Sequence, residues 1–168
     1  MIRVVVDDLA FVEADALVRP ATATLQSVSP ALRRLEELGG AEFRRQLEAP
    51  MGLAVGAAVV TAGGALTSEF VIHAVIMSDE QPVTPSGVRR AITSIVQRAA
   101  DWELARIATP LLGLGPGNLT PEDAARILID TFASDMQHTT HPSEVCIVVE
   151  SEEDREMVEA FIRGRLAS

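Results

Sequence analysis

Apolar positions along this chain recur in two rhythms. Near-continuous apolar runs at residues 2–7, 14–19, 56–61, 69–77, 106–112 and 144–150 predict six strands. Their lack of polar alternation predicts a sheet covered on both faces. Between the runs, helical spacing predicts helices over 29–48, 86–103, 120–137 and 151–166. Ser29-Pro30 opens the first helix, which carries Leu32, Leu35 and Leu38 on one face. Pro85-Ser86 opens the second, with Ile92, Ile95, Val96 and Ala99 as its apolar stripe. The last starts with Glu152, Glu153 and Asp154, which suit the helix dipole, and buries Met157, Val158, Phe161 and Ile162. Alternating helices and buried strands predict an α/β fold: a three-layer α/β/α sandwich around a mixed, mostly parallel central sheet, forming one domain over residues 1–168.

One segment, RIATPLLGLGPGNLTPEDAARIL at 106–128, joins a strand to a helix through a glycine-rich loop. Gly113, Gly115 and Gly117 remove three Cβ atoms that would hold a ligand off the backbone. Thr120 is placed to cap the following helix, with Pro121 as its first residue and Asp123 nearby. Such a loop presents backbone N–H groups at the positive end of a helix, an arrangement suited to phosphate. The alternate glycine spacing is not Gly-x-Gly-x-x-Gly, and no Gly-Lys-Ser/Thr ending marks a nucleoside-triphosphate P-loop.

Composition narrows the partners. A formal net charge of −10 argues against nucleic acid and anionic membranes, but backbone dipoles can still hold a small phosphorylated ligand. The apolar stretch from Leu53 to Leu66 is too short to cross a bilayer and contains Gly56, Gly63 and Gly64. With no visible signal peptide, a cytoplasmic location is the expectation. Cys146 is the sole cysteine and reads as an inert core residue. His138 and His141, with Asp135 close by, have a ligand-like spacing, but Thr139-Thr140 and Pro142 mark a helix-to-strand connection; no metal and no cofactor are expected. His73, in an apolar strand, reads as a satisfied core histidine.

Several motifs together resemble the macro domain, a module that binds ADP-ribose and related nucleotides. VVVDDLAFVEADALV is similar to the family's opening strand, linker and second strand. GAAVVTAGG followed by EFVIHAVI resembles its central hairpin, and PLLGLGPGNLTPEDAA its second phosphate loop and next helix. The likeness implies a bacterial-type macro fold in which Asp8 accepts from the adenine amino group with the Leu9 backbone beside it. On residues alone, Asp8 reads equally as a helix cap or a solvated acid. The resemblance further implies that Gly113, Leu114, Gly115, Pro116, Gly117 and Asn118 surround the phosphates and distal ribose.

The opposite side of the site departs from the family. Its Asn-Ala-Ala-Asn motif is replaced by Arg19, Pro20, Ala21 and Thr22, and its first glycine loop by Gln26-Ser27-Val28-Ser29-Pro30. Val28 and Pro30 are expected to crowd the backbone approach that glycine permits. Thr22 keeps a hydroxyl where the family has an amide, and is the one catalytic candidate. Arg19 reads as a surface strand-end residue or as a guanidinium near the phosphates. Glu150 and Ser151 stand where the family often stacks an aromatic on adenine. The resulting expectation is binding of ADP-ribose or a related nucleoside diphosphate without efficient hydrolysis. Two alternatives stand beside it: a scaffold that has lost the nucleotide and serves assembly, and an ADP-ribosyl hydrolase or phosphoesterase with an atypical site. Homo-oligomerisation stays open.

Overall fold

The computed structural model describes residues 1–48 and 51–166. Six strands form one sheet: β1 (Ile2–Val6), β2 (Ala16–Thr22), β3 (Ala58–Ala62), β4 (Phe70–Met77), β5 (Arg106–Thr109) and β6 (Glu144–Val149). Their order is β1-β6-β5-β2-β4-β3. All neighbours are parallel except β3, which pairs antiparallel with β4 at the edge. The helices are α1 (Pro30–Arg45), α2 (Pro85–Asp101), α3 (Pro121–Asp135) and α4 (Glu152–Leu166).

Each face of the sheet has its own apolar layer. Even-numbered positions of β2 and β4, such as Val18, Ile72, Ala74 and Ile76, pack with Ile107, Val145 and Ile147 against α2, α3 and α4. The odd positions Leu17 and Val71 join Ala108, Cys146 and Val148 beneath Leu35 and Phe43 of α1. Parallel strands buried on both sides account for their unbroken apolar sequence. Hydroxyl caps start the helices. The Ser29, Thr84 and Thr120 side chains accept from the N–H of Leu32, Gly87 and Asp123 respectively, and each is followed by proline.

Three boundaries move from the pattern. The α1 segment holds a non-helical Gly40 at φ 84°, so its apolar face is reset. Leu38 is left exposed, while Gly39 and Phe43 take up the buried positions. β2 runs three residues beyond Arg19, through Pro20. Pro20 is tolerated because β2 pairs with β5 only at Ala16 and Leu17, so beyond that point no ladder bond is required on that side. β5 stops at Thr109 ahead of Pro110, which has no N–H to continue the ladder. Where pairing of β2 with β5 ends, the sheet opens, and a cavity lies there.

Candidate functional site

A cavity of about 880 Å³ sits at the carboxyl ends of β1, β6, β5 and β2, the end at which open α/β sheets place their ligands. A shallower recess of about 440 Å³ lies at the opposite end, among Glu13, Asp15, Arg106 and Glu144. Two of its carboxylates are already engaged. Asp15 accepts the N–H groups of Ala105 and Arg106, and Glu144 pairs with both Arg3 and Arg106.

One wall of the large cavity is the loop after β5. Gly113, Gly115 and Gly117 hold φ values of 94°, 134° and 78°, a region that side-chain-bearing residues seldom adopt. These turns aim the loop's carbonyls inward. Gly113 O accepts from Leu119 N–H and Gly115 O from Asn118 N–H, each at 3.0 Å. The N–H groups of Gly113, Leu114 and Gly115 make no hydrogen bond within the described residues. Gly113, Leu114, Gly115 and Pro116 line the cavity; Gly117 and Asn118 do not. Asn118 instead braces the loop, its Nδ2 donating to Leu114 O at 3.4 Å.

The facing wall comes from the loop between β2 and α1 and from the first turn of α1. Val28, Ser29, Pro30 and Ala31 line it. Val28 and Pro30 form part of this surface without closing the cavity. The Ser29 side chain is taken up in capping, and the Ala31 N–H at the start of α1 has no protein partner among the described residues.

The far end, beyond β1 and β6, is acidic, with Asp7, Asp8, Glu150 and Asp154 in the lining. Asp8 Oδ1 accepts the Ala10 N–H at 3.0 Å, capping the 3-10 turn Leu9–Phe11, while Oδ2 accepts from Arg34 Nη1 at 2.8 Å. Leu9 lines the cavity beside it. Donors therefore collect at one end of a mostly apolar cavity and acceptors at the other.

A family model described as the macro domain matches residues 18–128. The chain belongs to the macro domain family. An uncharacterized protein of Aquifex aeolicus is 31% identical to it, with 95% of this chain and 94% of that protein covered. Solved macro domains share the fold at lower identity. The Oceanobacillus iheyensis macrodomain with ADP superposes with a TM-score of 0.85 at 19% identity, covering 98% of this chain and 90% of that one. The Trypanosoma brucei macrodomain in complex with ADP-ribose gives 0.83 at 18% identity, covering 95% and 68%.

This macro domain handles Arg19 in a way the sequence did not reveal. The side chain is neither at the surface nor in the cavity; it is completely buried beneath α1. Its Nη2 donates to Leu25 O at 2.8 Å and to Ser27 Oγ at 3.2 Å, and forms an ion pair with Glu36 of α1. Ser27 Oγ also donates to Glu36. The Arg19 Nη1 lies 3.3 Å from His73 Nδ1, and His73 Nε2 is 2.8 Å from Thr61 Oγ1. Burial, followed by the Arg19 charge, lowers the His73 pKa to about 3, so the ring is neutral. A neutral ring that accepts from Arg19 at Nδ1 must donate to Thr61 through Nε2. Arg19's own pKa is lowered by desolvation, against which Glu36 acts. The loop in front of α1 is thus fastened from behind by one guanidinium. Among the described residues, Arg19 Nε is the buried side-chain atom left without a partner.

Thr22, the catalytic candidate from sequence, lies outside the cavity lining. Its hydroxyl accepts the Gln26 N–H at 3.1 Å and sits 3.3 Å from Thr24 Oγ1, closing the turn that follows β2. Asp135 accepts from Thr93 at 2.7 Å, and among the described residues no group of three or more His, Cys, Asp or Glu could hold a metal. No helix among them is long and apolar enough to cross a membrane.

Proposed function

We propose that this macro domain binds ADP-ribose or a related nucleoside diphosphate in the cavity beyond β5 and β2, without efficient hydrolysis. The observation carrying the reading is the set of uncommitted N–H groups on Gly113, Leu114, Gly115 and Ala31, all residues that line one cavity. Backbone donors at a helix start bind phosphate locally, without the basic surface that a protein of net charge −10 lacks. Asp8, at the other end, keeps acceptor capacity beyond its two existing bonds and is suited to an exocyclic amine. The apolar middle of the cavity accommodates a base and ribose.

The same geometry disfavours catalysis. Lining carboxylates gather beyond β1 and β6, away from the donor end, and Thr22 is occupied in its own turn. No side chain of the lining near Gly113–Pro116 is placed to activate a water. The assembly-scaffold reading would gain if Val28, Pro30 or Arg19 filled the groove beside Gly115. The open cavity and the retreat of Arg19 weigh against it.

Calorimetry with ADP-ribose on the wild type and Gly115→Glu tests the proposal. At φ 134° the substituted residue is strained, and its carboxylate would meet the ligand phosphates. Saturable heat with the wild type and its loss in the variant are expected; no heat at millimolar ADP-ribose sinks the binding claim.

A further inference from the structure

Arg34 is the only lysine or arginine among the described residues that line the cavity, and it stands at the acidic end. The sheet order fixes where. Its partner Asp8 follows β1, two strands away from the β5 loop, a separation of about 10 Å. The guanidinium is therefore held beside Asp8, at the acidic end of the cavity and away from the Gly113–Gly115 amides. Two contacts hold it: Asp8 takes Nη1 at 2.8 Å, and the Phe11 ring lies 5.9 Å from Cζ. The side chain remains 52% exposed, so much of the planar group is uncovered.

We propose that Arg34 is a specificity-determining residue that recognises a nucleotide base, its guanidinium plane covering a base whose exocyclic amine reaches Asp8. This rests on the nucleotide reading of the cavity. Guanidinium planes stack on nucleobases, and Phe11 with Asp8 supplies the orientation in advance. Asp8 and Arg34 act as one unit: the acid reads the edge of the base and the arginine covers its face.

The test compares a ligand that has a base with one that has none. Dissociation constants for ADP and for inorganic pyrophosphate are measured on the wild type, Arg34→Ala, Arg34→Lys and Arg34→Phe. Stacking predicts that Arg34→Ala weakens ADP about tenfold and leaves pyrophosphate within about twofold. Arg34→Lys, which keeps the charge but loses the plane, should fail nearly as badly, whereas Arg34→Phe should recover most of the ADP affinity. Equal losses for both ligands, full rescue by lysine, or no rescue by phenylalanine would overturn the stacking role. A wild type that binds neither ligand removes the nucleotide reading along with it. A wild type that binds ADP and an Arg34→Ala that binds it equally well removes this proposal alone.

Discussion

The two walls of the cavity solve one problem by opposite means. The Gly113–Gly117 wall is shaped by backbone: left-handed turns point its carbonyls inward and leave its N–H groups free. The Leu25–Pro30 wall carries side chains and is shaped from behind, where buried Arg19 grips Leu25 O, Ser27 and Glu36. The first wall offers donors at little cost in contacts. The second gains a fixed position but spends its polar groups on internal bonds. A loop without glycine can thus be held still by a buried charge.

The largest effect expected from breaking this contrast is at Arg19. Arg19→Leu strands Glu36 and unties the loop, and should cost about 3–5 kcal/mol of stability in urea unfolding. A loss below about 1 kcal/mol would mean that the side-chain wall is not held as described. On the backbone wall, Gly113→Ala should cost about 3 kcal/mol, combining strain at φ 94° with a Cβ only 2.8 Å from Leu119 Cδ1. Gly117→Ala, at φ 78° with nothing within 4 Å, should cost about 1 kcal/mol. Equal costs would show that close packing contributes nothing at Gly113.

His73 links the second wall to pH. The unfolded chain takes up a proton on this residue near 6.5, whereas the folded chain resists until about pH 3. Stability from the neutral ring is therefore complete above pH 6.5 and declines as pH falls through that window. At pH 5 the loss relative to pH 7 should reach about 2 kcal/mol, read as the difference between the wild type and His73→Gln in thermal melts. Parallel pH profiles for the two proteins would refute the link. The smallest effect belongs to Thr22: Thr22→Ala should leave ADP-ribose affinity within about twofold and cost about 1 kcal/mol of stability or less. A tenfold loss of affinity would return Thr22 to the site.

The fold was legible because its signals are local. Six apolar runs, proline-marked helix starts and a glycine-rich strand-to-helix loop each act within a few residues, and the family resemblance rests on their order. Arg19 was not legible because its partners are distant. Glu36 is 17 residues away and His73 is 54, and only strand register and the packing of α1 bring them together. The same holds for Arg34, whose meeting with Asp8 spans 26 residues. The turn that Thr22 closes was not legible for a different reason. A motif position predicts where a backbone passes, but here the side chain at that position closes a turn with Gln26. Gly40 was a local signal overlooked: it breaks the periodicity of α1 and turns Leu38 outward in favour of Phe43.

The division of the cavity into a donor end and an acceptor end is most directly tested by a backbone amide NMR titration with ADP-ribose. The amides of Gly113, Leu114, Gly115 and Ala31 should show the largest shifts, with a second, smaller group at Asp8 and Leu9. No shifts at millimolar ligand, or shifts confined to the recess around Asp15 and Glu144, would contradict it.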